Sequence, residues 1–144
     1  MGRDLTRPKG PPFVQMHWML LNSKAYKALP PTAGKMLPYF LGKVKLPDNF
    51  RDPAYYRTTF TFTYTEGQTY GCSRKTFYEV LRALMRYGFI DPVKKGGLRG
   101  YSRTSSVFKL SDRWKHYGTA AFVEVAWEAF GEHQLKDEGG GRNE

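Results

Sequence analysis

Tyr70-Gly71-Cys72-Ser73-Arg74-Lys75-Thr76-Phe77-Tyr78 opens, and Tyr87-Gly88-Phe89-Ile90 closes, the stretch that decides the fold of this chain. Ser73 is a strong helix N-cap, because its hydroxyl accepts from the free N–H groups of a first turn. Gly88 is placed to end the same helix in a left-handed conformation. Together they predict a helix over Arg74–Tyr87. At about 100° per residue, Phe77, Val80, Leu81 and Leu84 cluster on the side that packs on a core. Lys75, Glu79, Arg82 and Arg86 point the opposite way, with Arg74 and Tyr78 on the flank.

Downstream, Phe89–Val93 and Val107–Leu110 read as short strands. The connection between them runs from Lys94 to Ser106. Its segment Lys94–Arg103 holds four cations, three glycines and no acid. Such a loop suits close approach to a polyanion backbone; its plainer reading is an ordinary flexible surface loop. Upstream, Gly71-Cys72 forms a turn, preceded by a short helical segment at Glu66–Tyr70 that contains Gly67. Thr58–Thr65 alternates Phe60, Phe62 and Tyr64 against Thr59, Thr61 and Thr63, the cleanest strand pattern in the chain. Pro47–Arg57 reads as a polar loop.

Nearer the start, Phe13–Leu21 is apolar, and periodicity leaves strand and buried helix both open. Ser23 caps a short helix through Leu29, which Pro30-Pro31 stops. Thr32 then caps a helix whose apolar Met36, Leu37, Phe40, Leu41 and Val44 recur at core-facing spacing. Pro38 sits inside it, its ring against the Gly34 carbonyl, which predicts a kink. After a basic patch at Arg113–His116, an amphipathic helix is expected over Thr119–Gln134. It would carry Glu124, Glu128 and Glu132 on one stripe and Phe122, Val125, Ala126, Ala129 and Phe130 on an apolar face. It is read either as a homodimer contact, together with Phe13–Leu21, or as packing on its own domain.

The 144 residues suit one domain. Four parts are expected: a basic arm at 1–12, a domain at 13–116, the C-terminal helix at 117–135 and a tail at 136–144. The arm's Arg3, Arg7 and Lys9 are placed to enter a minor groove, or are simply disordered. Lys and Arg number 23 against 13 Asp and Glu, a net charge of +10. That excess favours a polyanionic partner. It is unevenly spread: residues 1–116 hold 21 basic and 7 acidic side chains, and residues 117–144 hold 2 and 6. A single cysteine, Cys72, excludes an intrachain disulfide and suits a small buried apolar site. No uncharged run reaches the roughly 20 apolar residues of a membrane span. No signal peptide is visible, and the chain is expected to be cytoplasmic, associated with a bacterial or archaeal nucleoid.

In order, the pieces are helices, a strand, a short helix, a turn, a capped helix and a hairpin with a basic loop. This layout resembles the winged helix-turn-helix family, most specifically at Tyr70–Tyr78 and Tyr87–Ile90. It is similar to small helix-turn-helix proteins of phages, plasmids and integrative elements, and to the winged-helix modules of replication initiators. The likeness covers residues 13–110 and includes Leu21-Asn22-Ser23-Lys24-Ala25-Tyr26, the Ser73–Thr76 helix start and Gly88-Phe89-Ile90. The fold it implies is α+β: a three-helix core, a small antiparallel sheet with a basic wing, and the C-terminal helix. The function it implies is sequence-specific binding of double-stranded DNA by a homodimer, in transcription regulation or DNA replication.

A helix fits the B-DNA major groove, and its N-terminal residues reach base edges. Base readout is therefore expected from Arg74, Lys75, Tyr78, Glu79 and Arg82. Phosphate contacts are expected from Ser73, Thr76, Arg86 and the wing cations Lys94, Lys95, Arg99 and Arg103, while Tyr101 is read either as stacking on a sugar or as packing back onto the sheet. The plainer reading of the helix is a solvated basic face. Catalysis finds no support: His17, His116 and His133 are scattered. Gly34-Lys35 fails as a phosphate loop, because Leu29 stands at the first glycine position and Met36 replaces Ser or Thr. No enzyme activity, cofactor, metal, small-molecule substrate or membrane partner is expected. The competing expectations are a winged-helix protein-interaction module in a replication or partition complex, and an RNA-binding protein.

Overall fold

Residues 13–45, 51–94, 97–99, 102–104 and 106–125 are described by the computed structural model. The apolar N-terminal stretch divides at His17. Residues 13–17 form no helix or strand, His17 is extended, and a single helical turn, α1 (Trp18–Leu21), follows. Ser23 then accepts from the Tyr26 N–H at 3.0 Å and caps α2 (Lys24–Ala28). The next helix, α3 (Pro31–Leu41), is entered through Pro30 and not through Thr32. Proline's fixed φ suits the first helical position, where no N–H is needed. With Pro31 in that place, Thr32 falls inside the first turn. Pro38 cannot donate back to Gly34, yet the helix runs on to Leu41, held by the buried side chains of Ala33, Met36, Leu37, Phe40 and Leu41.

The stretch expected as a polar loop contains a 3-10 turn, Pro53–Tyr56, whose Ala54 N–H bonds the Asp52 carboxylate at 2.9 Å. It delivers Tyr55 to the core. Strand β1 covers only Thr59–Thr61, less than half the expected Thr58–Thr65. Thr63 ends it by starting α4 (Tyr64–Thr69) with a reciprocal capping box. Its hydroxyl accepts from the Glu66 N–H, and the Glu66 carboxylate accepts from the Thr63 N–H. Two satisfied helix-start donors outweigh two more residues of edge strand. Phe60 and Phe62 are buried as the alternation requires, with Phe62 stacked on Phe40 at 4.0 Å. Tyr64 instead opens the helix.

Helix α5 (Arg74–Arg86) packs on α3 and α4 and ends as its sequence predicts. Gly88 has φ of +92°, Gly88 N–H bonds the Met85 carbonyl, and Phe89 N–H bonds the Leu84 carbonyl. This paired closure satisfies two of the carbonyls that a helix end leaves open. A Cβ at Gly88 would lie 2.6 Å from the Trp114 backbone nitrogen, so both conformation and space demand glycine. Strands β2 (Ile90–Lys94), β3 (Gly97–Arg99), β4 (Ser102–Thr104) and β5 (Val107–Leu110) complete the architecture.

The sheet has the order β1-β5-β2, all antiparallel, with Phe60 opposite Phe108 and Ile90 opposite Leu110. A bulge at Pro92/Lys94 precedes a separate ribbon in which β3 pairs with β4. The long basic connection is therefore itself a hairpin. Between sheet and helices lies one core, built on Phe40, Met36, Leu37, Leu84, Phe89 and Phe108. Cys72 is buried within it. The architecture is α+β, with five α-helices and a three-stranded antiparallel sheet among the described residues.

After the 3-10 turn Arg113–His116, which buries Trp114, residues 119–125 are not helical. This overturns the first half of the expected helix at Thr119–Gln134; residues 126–134 lie outside the described residues. Competing hydrogen bonds explain the change. Thr119 Oγ1 donates to the His116 carbonyl and accepts from the Ala121 N–H, and the Val123 carbonyl is taken by Arg113. No helix among the described residues is long and apolar enough to cross a membrane.

Candidate functional site

The pair α4–α5 sets the geometry of the basic surface. Gly67 of α4 lies against the Phe77 ring of α5, so closely that a Cβ there would stand 2.4 Å from it. Gly67, a poor helix former by propensity, is what permits the two helices to touch. The turn between them closes through Cys72 N–H to the Gly67 carbonyl at 2.9 Å and Gly71 N–H to the Gln68 carbonyl at 3.0 Å. Lys43, just past the end of α3, forms an ion pair with Glu66 of α4. Burial raises the Glu66 carboxyl. The hydrogen bond from Lys43, the Thr63 N–H, the Lys43 charge and the Thr63 hydroxyl outweigh it and hold the group below its ordinary value.

The start of α5 is capped as expected. Ser73 Oγ accepts from the Thr76 N–H at 3.2 Å and donates to Thr76 Oγ1 at 3.0 Å. Past the cap, Arg74, Lys75, Tyr78, Glu79, Arg82 and Arg86 are all exposed, and Thr76 is half-buried. The opposite side is sunk in the core through Phe77, Val80, Leu81, Leu84 and Met85. Arg74 is not loose: its guanidinium carbon lies 4.3 Å from the centre of the Tyr64 ring. Tyr78 meets Phe77 edge to face. At the far end, Arg86 Nε lies 3.4 Å from a carboxylate oxygen of Glu124, an acid of the same chain.

Lys94 is exposed at the end of β2, Arg99 lies in β3 and Arg103 in β4, where it stands opposite Leu98. Lys95 and Tyr101 lie outside the described residues, as does the arm at 1–12. The ribbon leaves the sheet beside α5's own sheet neighbour, since β2 follows directly on the helix end.

Arg113 belongs to none of this, although sequence placed it in a basic patch. Its guanidinium donates to Asp91 at 2.7 Å, to the Met85 carbonyl at 2.9 Å, to the Ile90 carbonyl at 3.0 Å and to the Val123 carbonyl at 2.7 Å. Its side chain is only 15% exposed. It ties the end of α5, the start of β2 and the C-terminal segment together. No local pattern announces such a clasp. Sequence reasoning also passed over Tyr64 and Lys43, although the Thr63–Glu66 capping pattern could have placed Tyr64 at a helix start. No protein-family model, curated protein or solved structure matches this chain.

Proposed function

We propose that this chain is a winged helix-turn-helix protein that binds double-stranded DNA sequence-specifically and has no catalytic step or cofactor. The observation that carries it is the exposed outer face of α5, where Arg74, Lys75 and Arg82 lie in the open while the other side is fixed in the core. A helix about 10–12 Å across fits a major groove about 12 Å wide. The strand order β1-β5-β2, with α4 and α5 between β1 and β2 and a hairpin between β2 and β5, supports the winged-helix assignment. Arg74, Lys75, Tyr78, Glu79 and Arg82 read base edges. Ser73, Thr76, Arg86 and the wing cations Lys94, Lys95, Arg99 and Arg103 meet phosphates, with Tyr101 against a sugar. Its role is transcription control or replication initiation on a mobile element, in the cytoplasm.

A homodimer reads two half-sites. Exposed Phe13, Val14, Trp18 and Met19 support such a contact, extended by the C-terminal segment. Selection of bound fragments from random duplex, followed by gel-shift titration at several salt concentrations, tests the proposal. A recovered motif whose affinity exceeds that for scrambled duplex supports it. Equal binding to all duplexes, or tighter binding to matched single-stranded RNA, overturns it. Arg74→Ala is expected to cost about 1–3 kcal/mol and relax preference at one base pair, whereas Lys94→Ala weakens all sequences alike.

A further inference from the structure

We infer that Tyr64 is a positioning residue for base recognition: it holds the Arg74 guanidinium so that its edge meets a guanine. The inference rests on the proposed duplex binding and deepens it. Tyr64 is the first residue of α4 and Arg74 the first of α5, and the turn between the helices brings them together. The guanidinium lies 4.3 Å from the ring centre. The ring is itself fixed: it is partly buried and meets Phe77 edge to face at 6.1 Å.

Stacking engages the π-face of a guanidinium and leaves its in-plane N–H donors open. Those donors form the fork that fits guanine O6 and N7. Arg74 is exposed at the N-terminal end of α5, the end that approaches base edges in this docking geometry. A free arginine loses much rotamer freedom on binding. One already held over a ring has lost part of that freedom beforehand, so more of each hydrogen bond appears as discrimination. Phosphate contact gains little from this restraint, because charge attraction tolerates many rotamers. Tyr64 therefore acts on specificity and leaves general affinity nearly unchanged.

The test uses the full chain, the selected duplex, and copies in which each guanine in turn is replaced by 7-deazaguanine, which lacks the N7 acceptor. For the unaltered protein one position is expected to show a penalty of about tenfold, which Arg74→Ala abolishes. Tyr64→Leu shrinks that penalty to about twofold or less, with binding to scrambled duplex unchanged. Tyr64→Phe and Tyr64→Trp keep the ring face and retain it. Tyr64→Leu adds nothing in an Arg74→Ala background, as coupled residues require. A full penalty in Tyr64→Leu overturns the inference. So does its loss in Tyr64→Phe or Tyr64→Trp, which keep the aromatic packing and serve if the leucine variant does not fold. Sequence preference with no position sensitive to 7-deazaguanine overturns it too, while leaving duplex recognition intact. Equal binding to every duplex sinks the proposed function itself, and this inference with it.

Discussion

Gly67 and Glu66, neighbours in α4, carry different burdens. A methyl at Gly67 would meet the Phe77 ring 2.4 Å away, and that ring is only 2% exposed, with little room to retreat. Gly67→Ala is therefore expected to destabilise by about 1–3 kcal/mol, despite alanine's better helix propensity, when read by urea unfolding. An unchanged or raised midpoint would mean that the α4–α5 contact is looser than described. Glu66 is held below its ordinary carboxylate value, so the unfolded chain binds its proton more tightly than the folded one. Its contribution is then present above the ordinary value and is lost as pH falls through the lower folded one. His17 acts with the same sign in a higher window. Burial first, and Lys115 second, lower it from 6.5, so stability is lost as pH falls below that value. Glu66→Gln should flatten the acidic limb of a melting-temperature profile and leave the His17 limb in place. Both residues of the Thr63–Glu66 capping box stood in the sequence, four positions inclusive, but strict alternation from Thr58 to Thr65 concealed them. The alternation held from Thr59 to Phe62, with Thr59 and Thr61 exposed and Phe60 and Phe62 buried.

Helix α5 was legible because each of its signals is local. Ser73 caps it, Gly88 closes it, and its core face repeats within consecutive turns; the observed end differs from the expected one by a single residue. The C-terminal segment was not legible for the opposite reason. Its amphipathic pattern is overridden at Val123 by a guanidinium ten positions earlier in the chain, whose other partners lie 22 to 28 residues away. No window of sequence contains that clasp. Removing it leaves Asp91 and three carbonyls without a charged donor, those of Met85 and Ile90 in surroundings that are only partly solvated. Arg113→Met is expected to cost about 2–3 kcal/mol in thermal or urea unfolding, since hydrogen bonds to charged groups exceed neutral ones. Arg113→Lys should recover little, because one ammonium cannot span four acceptors in a fixed fork. Limited proteolysis separates local from global damage. Cleavage after residue 117 at an otherwise unchanged melting temperature would show that Arg113 secures only the C-terminal segment.

At the scale of the whole molecule, charge divides into a basic body and an acidic end, and Arg86–Glu124 is where the described structure joins them. A phosphate reaching Arg86 competes with Glu124 for its charge. Both side chains are more than half exposed, so the pair is weak, about 0–1 kcal/mol. Glu124→Gln should accordingly raise duplex affinity by at most about fivefold. It should also steepen the slope of log K against log salt by up to about 0.9, the value of one further phosphate contact. Two mechanisms could give the same gain: release of Arg86, or one less negative charge on the whole chain. They differ in range, since a charge beyond roughly 8–10 Å is largely screened at physiological salt. In an Arg86→Ala background, local release predicts that Glu124→Gln changes nothing at physiological salt. A general charge effect predicts a surviving gain that grows as salt is lowered. Titrations of the four proteins at two salt concentrations distinguish these outcomes. A gain confined to chains that retain Arg86 would identify the acidic end as a competitor for one phosphate contact, adjustable without touching the base contact proposed for Arg74.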